Sequence, residues 1–178
     1  MELQELAQCF ADCTQSAFRL QALADYVIDE ELDEYERFLA GQPLPDLEKD
    51  DWLKSIRQKI EAGVQICNVH VLPTRLTPYL RFAIDWSYIH RHLAGESIRF
   101  VSEAVARRSQ PPLTQDFWLF DDSIAVVMRY DPTGHFLRAE RVTNSNQVET
   151  YRAVRDSAIR QSFDLPHLLA LRRQGVLV

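Results

Sequence analysis

At 178 residues, with 46% hydrophobic and 26% charged residues and a formal net charge of −6, the chain has the size and composition of one globular domain with a substantial core. No stretch approaches the ~18 uninterrupted apolar residues that a transmembrane helix needs. The N-terminal MELQELAQCF carries acids where a secretory signal carries a basic region, so a cytoplasmic chain without membrane contact is expected.

The elements follow in chain order. Leu3, Leu6, Phe10 and Cys13 have helical spacing. SAFRLQAL reads as a short strand with Phe18, Leu20 and Ala22 on one face. DEELDEYERFLAG predicts a helix with Asp29 as N-cap, acids in its first turns and Gly41 at its end. QPLPD is a linker, because its prolines cannot sit inside a helix. Asp46 or Asp50 opens the next helix, with Trp52, Leu53, Ile56 and Ile60 on one stripe and Gly63 as its stop.

VQICNVHVL alternates, is β-branched and stops at Pro73, so it is a strand. TRLTPYLRFAIDWSYIHRHLAG is a helix with Pro78 near N1 and Gly95 at its close. SIRFVS is a third strand, and residues 103–115 form a loop or a short helical turn. DFWLF and SIAVVMRY are strands joined tightly at Asp121-Asp122, the DPTG turn follows, and HFLRAERV returns. A helix spans about Ser145 to Ser162, capped by Asn144, Ser145 or Asn146, and LPHLLALRRQGVLV contains a short amphipathic helix. The expected fold is α/β (α+β): a mixed sheet with an antiparallel C-terminal meander, covered by helices, in a single domain over residues 1–178. Its core is expected at about 16–163, with residues 1–13 and 164–178 as peripheral elements.

Charge is distributed unevenly. Residues 1–62 hold fifteen acids against six bases, and residues 63–178 hold eleven acids against fourteen bases, all of them arginine. Pairing of the acidic front half with the arginine-rich back half explains this; a site for an anionic ligand or nucleic acid is the alternative. A pI near 5.4 and the lack of a basic stripe interleaved with aromatics speak against direct nucleic-acid binding.

Several chemistries drop out. No Gly-rich phosphate loop or G-x-S-x-G elbow occurs. Cys9, Cys13 and Cys67 read as thiols rather than a disulfide framework. Cys67 and His70, three apart on a strand, point to opposite faces and could not easily close a four-ligand zinc site with Cys9 and Cys13. No metal and no cofactor is expected. His90 and His92 diverge on a helix, and no histidine stands beside an obvious nucleophile. His70 interrupts an apolar strand and reads as a satisfied core or edge histidine. Arg152 and Arg155 share a helix face that solvation explains.

The stretch DFWLFDD places Asp116, Trp118 and Phe120 on one side of a strand and Phe117 and Leu119 on the other. With both faces mostly apolar, the strand is interior to the sheet. Asp116 then needs a partner, or its pKa rises; Arg81, Arg99 and Arg75 are the candidates. The expected ligand site comprises Thr77, Tyr79, Arg81, Asp116, Trp118 and Asp122, with Arg81 meeting Asp116 or an anionic group and Trp118 forming an apolar wall. No catalytic residue is assigned.

PLPDLEKDDWL, PTRLTPYLRFAIDW, AGESIRF, DFWLFDD, MRYDPTGHFLRAE and YRAVRDSA together resemble an actinobacterial domain family of unknown function. Its members are small proteins often encoded beside, or fused to, helix-turn-helix regulators. The resemblance runs from about Phe18 to Ser162. It implies a regulatory setting, with a helix-turn-helix regulator as partner, and no catalytic residues. Residues 1–13 and the tail after Phe163 depart from the family, and either could dock a partner or form a homodimer; the anionic small molecule expected as ligand rests on Arg81, not on the resemblance. A second resemblance, to the phospholipase-D-like fold, implies a degenerate or other hydrolase-related enzyme; that chemistry needs H-x-K with a following Asp, and nothing in this sequence matches. A third reading is a structural interaction protein docking through its C-terminal tail.

Overall fold

The computed structural model describes residues 3–45 and 50–176. One seven-stranded sheet runs through the molecule in the order β6-β5-β4-β1-β2-β3-β7. The strands are β1 (Ser16–Gln21), β2 (Gln65–Leu72), β3 (Ser97–Ser102), β4 (Phe117–Phe120), β5 (Ile124–Tyr130), β6 (Phe136–Val142) and β7 (Phe163–Asp164). The pairs β1–β2 and β2–β3 are parallel, while β4, β5 and β6 form an antiparallel meander joined to β1. The mixed α/β sheet with its C-terminal meander is therefore as the sequence indicates. The two-residue β7, antiparallel to β3, is an addition: it is too short to alternate, and its pairing partner is distant in sequence.

Eight helices cover the sheet among the described residues: α1 (Leu3–Asp12), α2 (Leu32–Leu39), α3 (Asp51–Glu61), α4 (Pro78–Phe82), α5 (Ile89–Leu93), α6 (Glu103–Arg108), α7 (Ser145–Gln161) and α8 (Leu165–Arg173). A π-helical segment, Ala83–Tyr88, joins α4 to α5 into one rod. Capping follows side-chain chemistry. The carboxylate of Asp50 accepts from Leu53 N at 2.7 Å to open α3, and the Thr77 hydroxyl accepts from Leu80 N at 3.1 Å ahead of Pro78. Asn144 caps α7. Asp29 does not cap α2: it lies within a 3-10 turn, Asp29–Glu31, that leads into the helix, and the extended residue before that turn is Ile28, whose side chain cannot accept a hydrogen bond. Asp46, the other candidate for α3, lies outside the described residues.

Alternation along the strands divides the core. Phe18, Leu20, Val69, Val71, Val101, Phe117, Leu119 and Ala125 pack beneath α6 and α7 with Ala106, Val148 and Ala158. On the opposite face, Ala17, Ile66, Trp118, Phe120 and Val126 meet Cys9, Phe10 and Cys13 of the α1 region and Leu53 and Ile56 of α3. Farther along that face, Ile98 and Phe100 pack against Leu80, Phe82, Ile84, Trp86 and Tyr88, and against Leu165 and Leu168 of α8. The described part of the C-terminal tail thus packs on its own sheet. The ammonium of Lys59, in the last turn of α3, donates to Cys13 O at 2.7 Å and ties α3 to the end of α1. All three cysteines are free thiols.

The β4–β5 turn rests on Asp121 and Asp122, with φ of 47° and 54°. This is the left-handed region that favours short polar side chains in tight hairpins. Asp121 adds a second role. Its carboxylate accepts from Thr14 N (2.8 Å), Gln15 N (2.7 Å) and Ser16 N (2.8 Å), stitching the α1–β1 loop to the hairpin. These backbone bonds outweigh the opposing effect of burial and hold its pKa below the usual carboxylate value.

Candidate functional site

The face of the sheet beneath α1–α5 carries a row of polar side chains in an otherwise apolar layer. Parallel pairing sets Arg19 of β1 against Asn68 of β2, and Gln21 against His70. Antiparallel pairing sets Arg19 against Trp118. Gln21, Asn68, His70 and Asp116 are all buried, so each needs an internal partner; Gln21, His70 and Asp116 have one, whereas neither side-chain polar atom of Asn68 does among the described residues.

Asp116 finds its partners locally. It accepts from the Tyr26 hydroxyl at 2.6 Å and from Ala22 N at 2.9 Å. Burial raises its pKa, and the Tyr26 bond, the Ala22 amide and the nearby Arg19 charge act against that rise. Tyr26 Oη accepts from Leu23 N at 3.1 Å. His70 lies between the Tyr88 hydroxyl (2.5 Å from Nδ1) and Leu23 O (2.7 Å from Nε2). A protonated Nε2 donating to the carbonyl leaves Nδ1 unprotonated, facing the Tyr88 hydroxyl, which also lies 3.0 Å from Gln21 Oε1. Burial drives the His70 pKa down to about 3, so this is a neutral, satisfied core histidine. The Thr77 hydroxyl donates to Ala24 O at 3.1 Å. The stretch after β1 is thus pinned at Ala22, Leu23 and Ala24 by Asp116, Tyr26, His70 and Thr77.

Beyond this pinned stretch the chain turns over a cavity of about 460 Å³. Arg19, Trp118, Met128 and Tyr130 form its sheet side, Val27 to Glu31 and Trp52 its walls, and Ser87 and Arg91 its far end. The Arg19 guanidinium lies 5.1 Å from the Trp118 ring centroid and 6.0 Å from that of Tyr26, a cation–π arrangement. Burial works against its charge, but Tyr130, Tyr26 and Asp116 around it outweigh burial and keep it protonated. Among the described residues it forms no ion pair. Arg91 differs, because it makes a two-pronged bond to Glu96 (2.7 and 2.6 Å) in a buried ion pair. Glu31, also on the cavity wall, accepts from the Tyr79 hydroxyl at 3.0 Å. Burial raises its pKa against that bond and the fields of Arg19 and Arg91.

The six expected site residues separate into three groups. Trp118 lines the cavity, Asp116 sits directly behind it, and Tyr79 holds Glu31 on its wall. Thr77 anchors the preceding stretch. Arg81 and Asp122 lie elsewhere. Arg81 is exposed, on an open groove with Leu76, Asp85, Leu169 and Arg172, and it makes no contact with Asp116. The helix bearing Tyr79 and Leu80 turns those side chains inward, so its neighbour Arg81 faces out. Asp122 pairs with Arg155, while Arg152 donates to its backbone carbonyl at 2.8 Å, so these two arginines fasten α7 to the hairpin rather than forming a solvated face. The residues that sequence reasoning misses are Arg19, Tyr26, Glu31 and Tyr130. A signal existed: Arg19, Gln21, Asn68 and His70 occupy alternate positions on strands whose other positions are apolar. That pattern ordinarily marks a solvent-facing side, and only the covering helices make it interior.

Neither His70 nor His135 forms a nucleophile–base arrangement. His70 is enclosed as described. His135 Nδ1 faces both Thr133 Oγ1 (2.8 Å) and Asp131 Oδ2 (3.6 Å) in an exposed turn. Both contacts fall on one ring nitrogen, so the ring cannot relay a proton between them. No H-x-K sequence occurs in the chain. No group of three or more His, Cys, Asp or Glu side chains among the described residues could hold a metal ion, and no described helix is long and apolar enough to cross a membrane.

The architecture is similar to that of Nuc, a phospholipase D family member from Salmonella typhimurium, with a TM-score of 0.53 at 11% identity over 91% of this chain and 89% of that one. It is also similar to TrmBL2, an archaeal chromatin protein that binds DNA, with a TM-score of 0.51 at 8% identity. That match covers 90% of this chain and 49% of TrmBL2, so the chain spans about half that protein's length. At these identities the likeness is one of fold alone. Fold and site together define a mixed-sheet α/β domain, built like a phospholipase D family member, with an arginine-floored aromatic cavity over its sheet. The chain belongs to the DUF6879 family, a domain of unknown function, whose model matches residues 4–170. No curated protein matches it.

Proposed function

We propose that this chain is a non-enzymatic, ligand-sensing regulatory domain that binds a small organic anion over Arg19 and acts with a helix-turn-helix transcriptional regulator. One observation carries the reading: a half-buried guanidinium without an ion-pair partner among the described residues, on the floor of an aromatic-walled cavity of about 460 Å³. Guanidinium is the side chain best suited to carboxylate or phosphate, and the cavity has the size of small-molecule sites. The link to a regulator is supported by the resemblance of DFWLFDD and its companion motifs to proteins encoded beside such regulators.

Thermal shift and calorimetric titration of the full chain against a panel of small carboxylates and phosphate monoesters test this. At least one anion is expected to raise the melting temperature, and Arg19→Met to weaken its binding tenfold or more while the protein stays folded. Failure of every anion to stabilise the wild type, or unchanged binding by the variant, overturns the proposal.

A further inference from the structure

The cavity that binds the anion in the reading above holds a second ionisable group without an ion-pair partner among the described residues. Glu31 lies on the wall, half-buried, with the Tyr79 hydroxyl as its bonded partner and no cation in ion-pair contact among the described residues. Arg19 and Glu31 act on each other electrostatically without touching. Two opposite charges left apart in one partly desolvated cavity are costly, since each forgoes hydration without a direct partner. A ligand carrying an anionic and a cationic group on one carbon would offer a partner to each. Arg91, the other cation in reach, is already committed to Glu96. Asp29 and Glu30 on the same wall add negative charge on the Glu31 side. The lining also includes Trp118, Trp52, Met128 and Phe136, a surface for an apolar group.

We infer that the ligand class is a zwitterion with an apolar side chain, of the α-amino-acid type: its carboxylate meets Arg19, its ammonium meets Glu31, and its side chain lies against Trp118 and Trp52. This rests on the anion-binding reading and adds the cationic requirement to it. No bond is made or broken; the step is binding.

Calorimetric titration of the full chain with L-phenylalanine, L-leucine, L-methionine and L-tryptophan tests the inference, alongside 3-phenylpropionate, which lacks the ammonium, and phenethylamine, which lacks the carboxylate. At least one amino acid is expected to bind tenfold or more tightly than either singly charged analogue. Glu31→Gln should remove the advantage over 3-phenylpropionate, and Arg19→Met the advantage over phenethylamine. Should either variant fail to fold, the wild-type ranking of the six probes decides alone. Equal binding of 3-phenylpropionate and L-phenylalanine, with Arg19→Met weakening both, overturns the zwitterion while leaving the anion site standing. Tighter binding of phenethylamine than of every amino acid overturns both, whereas silence from all six probes overturns the zwitterion and leaves the anion site to the carboxylate and phosphate panel.

Discussion

His70 makes the stability of this protein depend on pH in a way that can be isolated. It is fully buried between Tyr88 and the Leu23 carbonyl, and its pKa falls from the ordinary 6.5 to about 3. A folded-state pKa below the unfolded one means that the unfolded chain binds the extra proton first. Stability is therefore complete above pH 6.5 and declines as pH falls through the window between 6.5 and about 3. Linkage gives a loss of about 2 kcal/mol between pH 7 and pH 5 from this one group. Asp116 and Glu31 act with the opposite sign: their pKa values are raised by burial, so their contribution is present at low pH and is lost as pH rises. The informative quantity is thus the difference between wild type and the non-titrating His70→Gln across urea denaturation at pH 7, 6 and 5. The variant should lose about 2 kcal/mol less than wild type over that range. Imidazole NMR on the wild type gives a second measure, with His70 expected to stay neutral at pH 5. Parallel stability profiles, or a His70 resonance titrating near 6.5, would refute the enclosed, neutral histidine.

Two further outcomes follow from the site's neighbours. The 2.6 Å bond between Tyr26 and Asp116 should give a coupling of about 1.5–3 kcal/mol in a double-mutant cycle of Tyr26→Phe and Asp116→Asn, measured by chemical denaturation; a coupling under ~0.5 kcal/mol would show the two groups to be independent. Gly134 has φ +90°, and a Cβ there would sit 2.6 Å from Asp25 O, whereas Gly63 has φ +89° with open space around it. Gly134→Ala should therefore cost about 1 kcal/mol more than Gly63→Ala in melting experiments, and equal costs would exclude the clash.

Much of the scaffold could be read from local chemistry. The helix stops at Gly41, Gly63 and Gly95, the caps at Asp50, Thr77 and Asn144, and the two faces of DFWLF each depend on a residue and its near neighbours. The polar contacts of Asp116 were only half legible. An acid leading into an apolar strand demands a partner, but whether that partner is Arg81 or a tyrosine ninety positions earlier depends on which elements the sheet brings together. The chain by itself dictated most of the strands and helices and several of their ends, because periodicity, glycine and proline act over a few residues, while the start of α2 and the short β7 depended on the rest of the fold. Tertiary packing decided that the Arg19, Asn68 and His70 side of the strands is roofed by helices instead of wetted, because burial of a strand face depends on what is laid across it. That covering turns an ordinary alternation of polar and apolar residues into an enclosed guanidinium and the cavity above it.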